Sequence, residues 1–183
     1  MMDFPLDLTL EDGGLFLRPL QKEDFPKLHK LCSDSDLWDY FTHDLSKIES
    51  FKPWAEDHFL GKRLQLIVTD KNTGEFFGSS GFGNYSKRDE RVEIGWTWFG
   101  KQFHGKGINP RVKKLMLRYA FETLALKRVE FKTDVLNIPA RKALRKLGAV
   151  EDGVLRSHTL LHHGRRRDTI FYSFLPQDWS KIN

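Results

Sequence analysis

The sequence predicts a single domain of the mixed α/β (α+β) class, in which helices cover the faces of a largely antiparallel sheet. Three observations support this fold class. Apolar residues recur with the helical period of about 3.6 in some segments and with the strand period of two in others. Turn-forming runs such as Asp70–Gly74 separate consecutive strand-like segments, as hairpins require. In the second half of the chain, helices alternate with strands, which places both in one layered unit.

The composition indicates a folded domain in a reducing compartment. The chain has 183 residues, of which 39% are hydrophobic, and it includes 15 Phe and 5 Trp, enough for one packed core. Residues 1–183 contain no repeat, low-complexity tract or linker that would mark a domain boundary. A single cysteine excludes an internal disulfide, and neither a signal-peptide pattern nor an apolar run of ~20 residues is present. We therefore expect a cytoplasmic protein that does not enter a membrane.

The net charge of +5 and the pI of about 9.3 suit a polyanionic ligand, such as a nucleic acid, a phosphorylated cofactor or an acidic protein. Ordinary solubility charge explains the same balance, so composition alone leaves the ligand open. We expect no DNA partner, and a homodimer is compatible with the sequence.

The first elements are one strand and two helices. Residues 15–19 form the strand, and apolar residues at helical spacing predict a helix over 25–32. Ser46-x-x-Glu49 is typical of a capping box that starts a second helix, which Gly61 ends.

Three strands follow, at 64–69, 76–85 and 91–99. Large apolar residues recur with period two in the third strand, so we expect them to share one face: Val92, Ile94, Trp96 and Trp98.

A glycine-rich turn leads from this strand into a helix, for which Asn109 is the predicted N-cap and Pro110 the first helical residue. Its predicted buried stripe is Val112, Leu115, Met116, Tyr119 and Ala120. The remaining predicted elements are a strand at 129–135, a helix at 137–148, and strands at 154–161 and 168–175.

The turn GKQFHGKGINP, residues 100–110, is the strongest candidate for a ligand site. Successive backbone amides at a helix start form an anion site, and Gly105 and Gly107 let a phosphate approach the backbone. A tight strand-to-helix turn without a ligand explains the local pattern equally well. A nucleotide triphosphate loop needs Ser or Thr after Lys106, where Gly107 stands, and a dinucleotide motif needs glycine where Pro110 stands. The pyrophosphate of coenzyme A is the third alternative.

Residues 102–107 resemble the [Q/R]-x-x-G-x-[G/A] signature of the GNAT superfamily of acyl-CoA N-acyltransferases. Segments 15–25, 93–96 and 137–149 resemble the family's opening strand and helix, the strand before the pyrophosphate loop, and a later helix. The C-terminal pattern is similar to the RimJ/RimL branch, whose members acetylate protein N-termini, including those of ribosomal proteins. It comprises Glu151–Arg156, Gly164–Asp168, Tyr172–Ser173 and Asp178–Trp179.

This resemblance implies a GNAT-type sheet with about four helices and direct transfer of acetyl from acetyl-CoA to a primary amine, without an acyl-enzyme. It also implies which residues bind the cofactor, the pantetheine arm near Trp98 and Phe99 and the pyrophosphate on the turn: Trp98, Phe99, Gln102, Phe103, His104, Gly105, Lys106, Gly107 and Asn137. For Asn137, helix capping is an equally good explanation.

Glu93 is the predicted general base, acting through water, and His158 is a second candidate because imidazole titrates near neutrality. The proton donor is not assigned. Leu144 stands where many family members have Tyr, and Ala140 stands where some relatives in this branch have Ser.

The acceptor is predicted to be a protein or peptide N-terminal α-amine, with ribosomal proteins among the candidates, because an α-amine loses its proton more readily than lysine. A small amine such as a polyamine, amino acid or antibiotic is the first alternative. A binding module for RNA or the ribosome, using the basic run 162–167, is the second. Loop aromatics at 38–41 are candidates for an acceptor pocket. We expect no metal site, and Cys32 is expected to pack in the core.

Overall fold

Eight strands form one sheet in the spatial order β1-β2-β3-β4-β5-β6-β8-β7. The structure, a computed structural model, describes residues 7–182. All neighbouring strands are antiparallel except β5 and β6, which are parallel. The strands are β1 (Leu10–Asp12), β2 (Leu15–Pro19), β3 (Arg63–Asp70), β4 (Phe76–Ser86), β5 (Arg91–Phe99), β6 (Arg128–Asp134), β7 (Val150–Leu160) and β8 (Arg166–Phe174).

Two separate cores cover the two faces of the sheet. One core contains the apolar residues of α3 and α4, and the other contains those of α1 and α2. We call these sides the α3/α4 face and the α1/α2 face. The helices are α1 (Phe25–Leu31), α2 (Ile48–Phe59), α3 (Ile108–Arg118), α4 (Ile138–Leu147) and the single turn α5 (Pro176–Trp179). Within residues 7–182, no helix is long and apolar enough to cross a membrane.

The predicted mixed, mostly antiparallel fold is confirmed, and each predicted strand and helix is present. The short strand β1 and the turn of helix α5 are additional. The predicted buried stripe of α3 is confirmed, since all five of its residues are buried. Cys32 packs in the core of the α1/α2 face, where its thiol donates to the Leu45 carbonyl oxygen at 3.0 Å.

The predicted helix starts are wrong at α2 and α3. At α2 the N-cap is Lys47, because the Ser46 hydroxyl and amide bond to the Asp44 carboxylate instead of capping the helix. At α3 the N-cap is Gly107, so Asn109 and Pro110 already lie in the first turn. Gly107 has φ +75°, a left-handed conformation that glycine adopts without strain.

A β-bulge in β5 overturns the prediction that its four large apolar residues share one face. The pairs Ser79–Trp98 and Gly81–Gly95 leave one extra residue in β5, and Trp96 has φ +50°. The bulge reverses the alternation of the side chains. Val92 and Ile94 therefore pack on the α3/α4 face, whereas Trp98 packs on the α1/α2 face.

Strands β5 and β6 pair over only three residues each and then separate. The last pair is Glu93–Glu130, although β5 continues to Phe99 and β6 continues to Asp134. The sheet therefore contains a gap between the second half of β5 and the second half of β6, next to the bulge.

Candidate active site

The glycine-rich turn has the open geometry that an anion site needs. Gly105 and Gly107 both have φ +75°, and a Cβ added to either would meet no atom within 4 Å among the described residues. The turn ends at the N-terminus of α3, where the first-turn amides of a helix have no intrahelical partner. Backbone amides there can approach a phosphate without steric obstruction.

Some of the amides expected to hold the pyrophosphate are already used inside the turn. The amides of Phe103, His104 and Lys106 donate to the carbonyl oxygens of Gly100, Lys101 and Phe103 at 2.8, 3.2 and 3.4 Å. In the described part of the chain, the amides of Gly105 and Gly107 have no such partner. The available anion site is therefore centred on these two glycines and the first turn of α3.

The remaining predicted cofactor residues lie along the gap or at its end. Trp98 and Phe99 are the last residues of β5, and the Phe99 carbonyl oxygen lies 3.0 Å from Nε2 of His104. The Asn137 side chain caps α4 by accepting from the Ala140 amide at 3.1 Å. The Trp98 indole N–H and the side-chain carbonyl oxygen of Asn109 are buried without a hydrogen-bond partner within residues 7–182.

Glu93 lies at the point where β5 and β6 begin to separate, on the side of the sheet that faces α1 and α2. Its Oε2 accepts from Lys132 Nζ at 2.6 Å and from Asn84 Nδ2 at 2.7 Å. The carboxylate is held in place by these two donors, and a Cβ added at Gly95 would lie 3.1 Å from its Oε1. This oxygen therefore faces the backbone immediately before the bulge.

The other residues considered for proton transfer lie away from Glu93 or carry no proton. Leu144 is buried in the core of the α3/α4 face. His158 lies on β7, with Nδ1 3.0 Å from the Thr169 hydroxyl. Three strand spacings separate β7 from β5, about 14 Å, so the structure does not bring His158 and Glu93 together.

The α1/α2 face of the gap carries more basic than acidic side chains. Lys132, Arg165 and Arg63 are paired with Glu93, Asp134 and Asp57, respectively. Arg167 has no carboxylate within 4 Å among the described residues, and it donates to Tyr40 O at 3.3 Å and to the Thr169 hydroxyl at 3.0 Å. Burial lowers the pKa of Arg167.

The β7–β8 hairpin end is attached to the loop between α1 and α2. The rings of His162 and His163 contact the carbonyl oxygens of Trp38 and Asp39, both at 3.2 Å. Arg166 donates to Ser157 O at 2.7 Å. Most of the basic run 162–167 is therefore engaged with the protein itself, and loop and hairpin together border the α1/α2 side of the gap.

Lys113 is a site residue that the sequence analysis missed. It lies on α3, is 6% exposed, and donates to the Thr97 hydroxyl at 2.5 Å and to the Ser80 hydroxyl at 3.4 Å. Burial lowers its pKa to about 7, partly offset by the field of Glu93. A lysine next to the predicted helix stripe is typical of a solvated position, and nothing in its local sequence indicates the hydroxyls that reach it across the sheet.

Comparisons with known proteins agree with this geometry. Residues 14–150 match the family model described as "Acetyltransferase (GNAT) domain". The chain is 33% identical over 170 residues to "Putative ribosomal N-acetyltransferase YdaF" of Bacillus subtilis (strain 168), covering 89% of this chain and 92% of that protein. It is 26% identical over 155 residues to the spermidine N(1)-acetyltransferase of Escherichia coli (strain K12), covering 84% and 82%.

Among solved structures, an acetyltransferase from T. thermophilus superposes with a TM-score of 0.85 at 29% identity, covering 100% of this chain and 95% of that one. The chain belongs to the GNAT acetyltransferase family. The likeness to YdaF agrees with the RimJ/RimL-like branch that the C-terminal pattern predicted.

The protein is thus an N-acetyltransferase that uses acetyl-CoA as its acetyl donor. The residues present fit this donor. The turn offers unhindered backbone amides for a pyrophosphate, and the gap beside β5 exposes a strand edge to an extended pantetheine arm.

Proposed function

We propose that the acceptor is the N-terminal α-amine of a protein or peptide, and that Glu93 accepts its proton through water. The charge of the α1/α2 face is the observation that carries this proposal. Three of its cations are neutralised by carboxylates, whereas Arg167 is not. The face therefore has an excess of positive charge close to the gap.

Such a face disfavours a polyamine and suits a peptide. Spermidine carries several ammonium groups, each of which would be repelled by the uncompensated Arg167 at short range. A peptide N-terminus brings one amine, followed by carbonyl oxygens that a guanidinium can bind. An α-amine with pKa ≈ 8 is also about a tenth neutral at pH 7, whereas lysine at ≈ 10.4 is neutral in well under a tenth of a percent.

The acceptor class is tested by competition. Purified protein would be given acetyl-CoA with an equimolar mixture of short peptides carrying free N-termini, the same peptides with blocked N-termini and one internal lysine, and spermidine. We expect acetylation of the free N-termini to exceed that of spermidine and of the internal lysine. Preferential acetylation of spermidine would assign the site to small amines, as in the E. coli relative's printed activity.

Replacing Glu93 by glutamine is expected to lower kcat about 100-fold, because general-base assistance is typically worth roughly 10²–10⁴. The KM for acetyl-CoA is expected to stay within about threefold, since Glu93 faces the acceptor side. Steady-state kinetics on a peptide substrate measures both values. Glu130→Gln is the matched control, because Glu130 also forms ion pairs on the neighbouring strand, with Arg91 and Arg128. Equal losses in the two variants would show that only the ion pairs matter.

In this proposal the pyrophosphate of acetyl-CoA lies on the amides around Gly105 and Gly107, beside Gln102 and Lys106. A carboxylate at Gly105 would meet it at close range, so Gly105→Glu is expected to weaken acetyl-CoA binding about 100-fold, equivalent to ~2.7 kcal/mol. Isothermal titration calorimetry measures the change.

Two controls isolate the charge effect. Gly105→Ala keeps the strain of the left-handed backbone without the charge, and we expect only a few-fold loss. Gly164→Glu places the same charge in the β7–β8 turn, at φ +88° and also in open space. If Gly105→Glu bound acetyl-CoA as tightly as Gly164→Glu, the anion site would have to lie elsewhere.

A further inference from the structure

Lys113 is buried directly beneath the gap in the sheet. Its Nζ contacts Thr97, which lies on β5 beyond the last residue paired with β6. The same Nζ lies 5.4 Å from the ring centroid of Phe131, which lies on β6 beyond its last pairing with β5. The ammonium therefore faces the gap from the side of α3 and α4.

The surroundings of Lys113 do not neutralise it locally. Ser80 on β4 and Thr97 on β5 offer hydroxyl oxygens, and Phe131 on β6 offers a ring face. Among the described residues no carboxylate lies within 4 Å of Nζ, and the field that reaches it is that of Glu93, from across the sheet. A buried lysine without a carboxylate partner is rare in folded proteins, because the charge is costly to desolvate.

We propose that Lys113 is the proton donor to the sulfur of coenzyme A when the acetyl group leaves it. The proposal rests on the proposed function, in which the pantetheine arm runs along the second half of β5. It fills the role that Leu144 and Ala140 cannot fill, since neither side chain carries a transferable proton.

The proton balance of the reaction is complete with the groups present. The acceptor nitrogen forms a bond to the acetyl carbon and gives one proton to water held by Glu93. The bond between the acetyl carbon and sulfur breaks, and sulfur keeps the electron pair and takes a proton from the Lys113 ammonium. Lys113 is left neutral and regains a proton from solvent after the products leave. A lowered pKa close to the working pH suits this exchange.

The first test is the pKa of the thiol of bound coenzyme A, which is independent of turnover. Ultraviolet absorbance of the thiolate would be followed during pH titration of complexes of coenzyme A with the wild-type protein, Lys113→Met and Lys114→Met. Lys114 is the matched control, because it is the next residue of α3 and is exposed, contacting Ile182 O at 3.1 Å. We expect the apparent acid constant of the bound thiol to fall at least tenfold in Lys113→Met alone. An unchanged titration would overturn the proposal.

The second test separates proton donation from a structural role. Lys113→Met is expected to lower kcat about 100-fold and to abolish the decline of kcat at alkaline pH, with the acetyl-CoA Kd within about threefold. Lys113→Gln retains a hydrogen-bond donor for Thr97 and Ser80 but no transferable proton, so it is expected to be equally slow. Recovery of the rate in Lys113→Gln would show that the hydrogen bonds, and not the proton, are what matters.

The two proposals fail in different ways. If the wild-type protein acetylates spermidine instead of peptides, the acceptor is wrong while the thiol titration still stands. If wild-type and Lys113→Met proteins turn over equally, Lys113 is not the donor although the acceptor assignment holds.

Discussion

Replacing Lys113 by methionine is expected to stabilise the folded protein at pH 7 by about 4 kcal/mol. Burial lowers the pKa of Lys113 from 10.5 to about 7 in the folded state, so folding at neutral pH requires partial loss of a proton that the unfolded chain retains. Methionine fills a similar volume without a charge. Denaturant unfolding of both proteins at pH 7 measures the difference.

The pH dependence identifies the cause of this stabilisation. Between pH 7 and pH 10.5 the unfolded state binds more protons than the folded state, so wild-type stability rises with pH through this window. The penalty is fully present below pH 7 and nearly absent above pH 10.5. The advantage of Lys113→Met is therefore expected to shrink to below ~1 kcal/mol at about pH 10. A constant advantage at all pH values would mean that packing, and not the lysine charge, sets the difference.

Gly78→Ala is expected to destabilise the fold by about 4 kcal/mol or more. A Cβ at this position would lie 2.1 Å from the Trp98 carbonyl oxygen and 2.7 Å from Phe99 Cα, both of them backbone atoms that cannot rotate away. Relief requires β4 and β5 to separate just where β5 enters the glycine-rich turn. Chemical unfolding with circular dichroism measures the loss, and acetyl-CoA binding by the remaining folded fraction is expected to weaken as well.

Gly74→Ala is the matched control for Gly78→Ala. Gly74 lies in the β3–β4 turn at φ +70°, and a Cβ there would meet nothing within 4 Å of the described structure. We expect a cost of about 1 kcal/mol, the usual strain of a left-handed alanine. If both variants lost the same stability, the close approach of β4 to β5 would contribute nothing beyond backbone strain.

The order of helices and strands was predictable because each element has enough residues for its period to show. Helix starts were less predictable, since Asp44 competes with the backbone of α2 for Ser46. The bulge at Trp96 was not predictable, because alternation of apolar residues continues through it in the sequence while the side chains change faces.

The candidate site was predictable only where it is continuous in sequence. The turn at Gly105 and Gly107 is one such segment. Lys113 is not, because its environment consists of Ser80, Thr97 and Phe131, which come from three different strands. A helical period cannot report whether an isolated lysine faces solvent or a polar recess under the sheet.

The divergence of β5 and β6 also has a kinetic consequence. A gap that opens to both faces of a sheet lets two reactants occupy the centre at once, each with its own route in and out. The enzyme then has no need to release one product before the second substrate arrives. Initial-rate plots for such an arrangement intersect, as in a ternary-complex mechanism, instead of running parallel. Substrate breadth and donor specificity can also change independently, because mutations on one side of the sheet leave the opposite entrance intact.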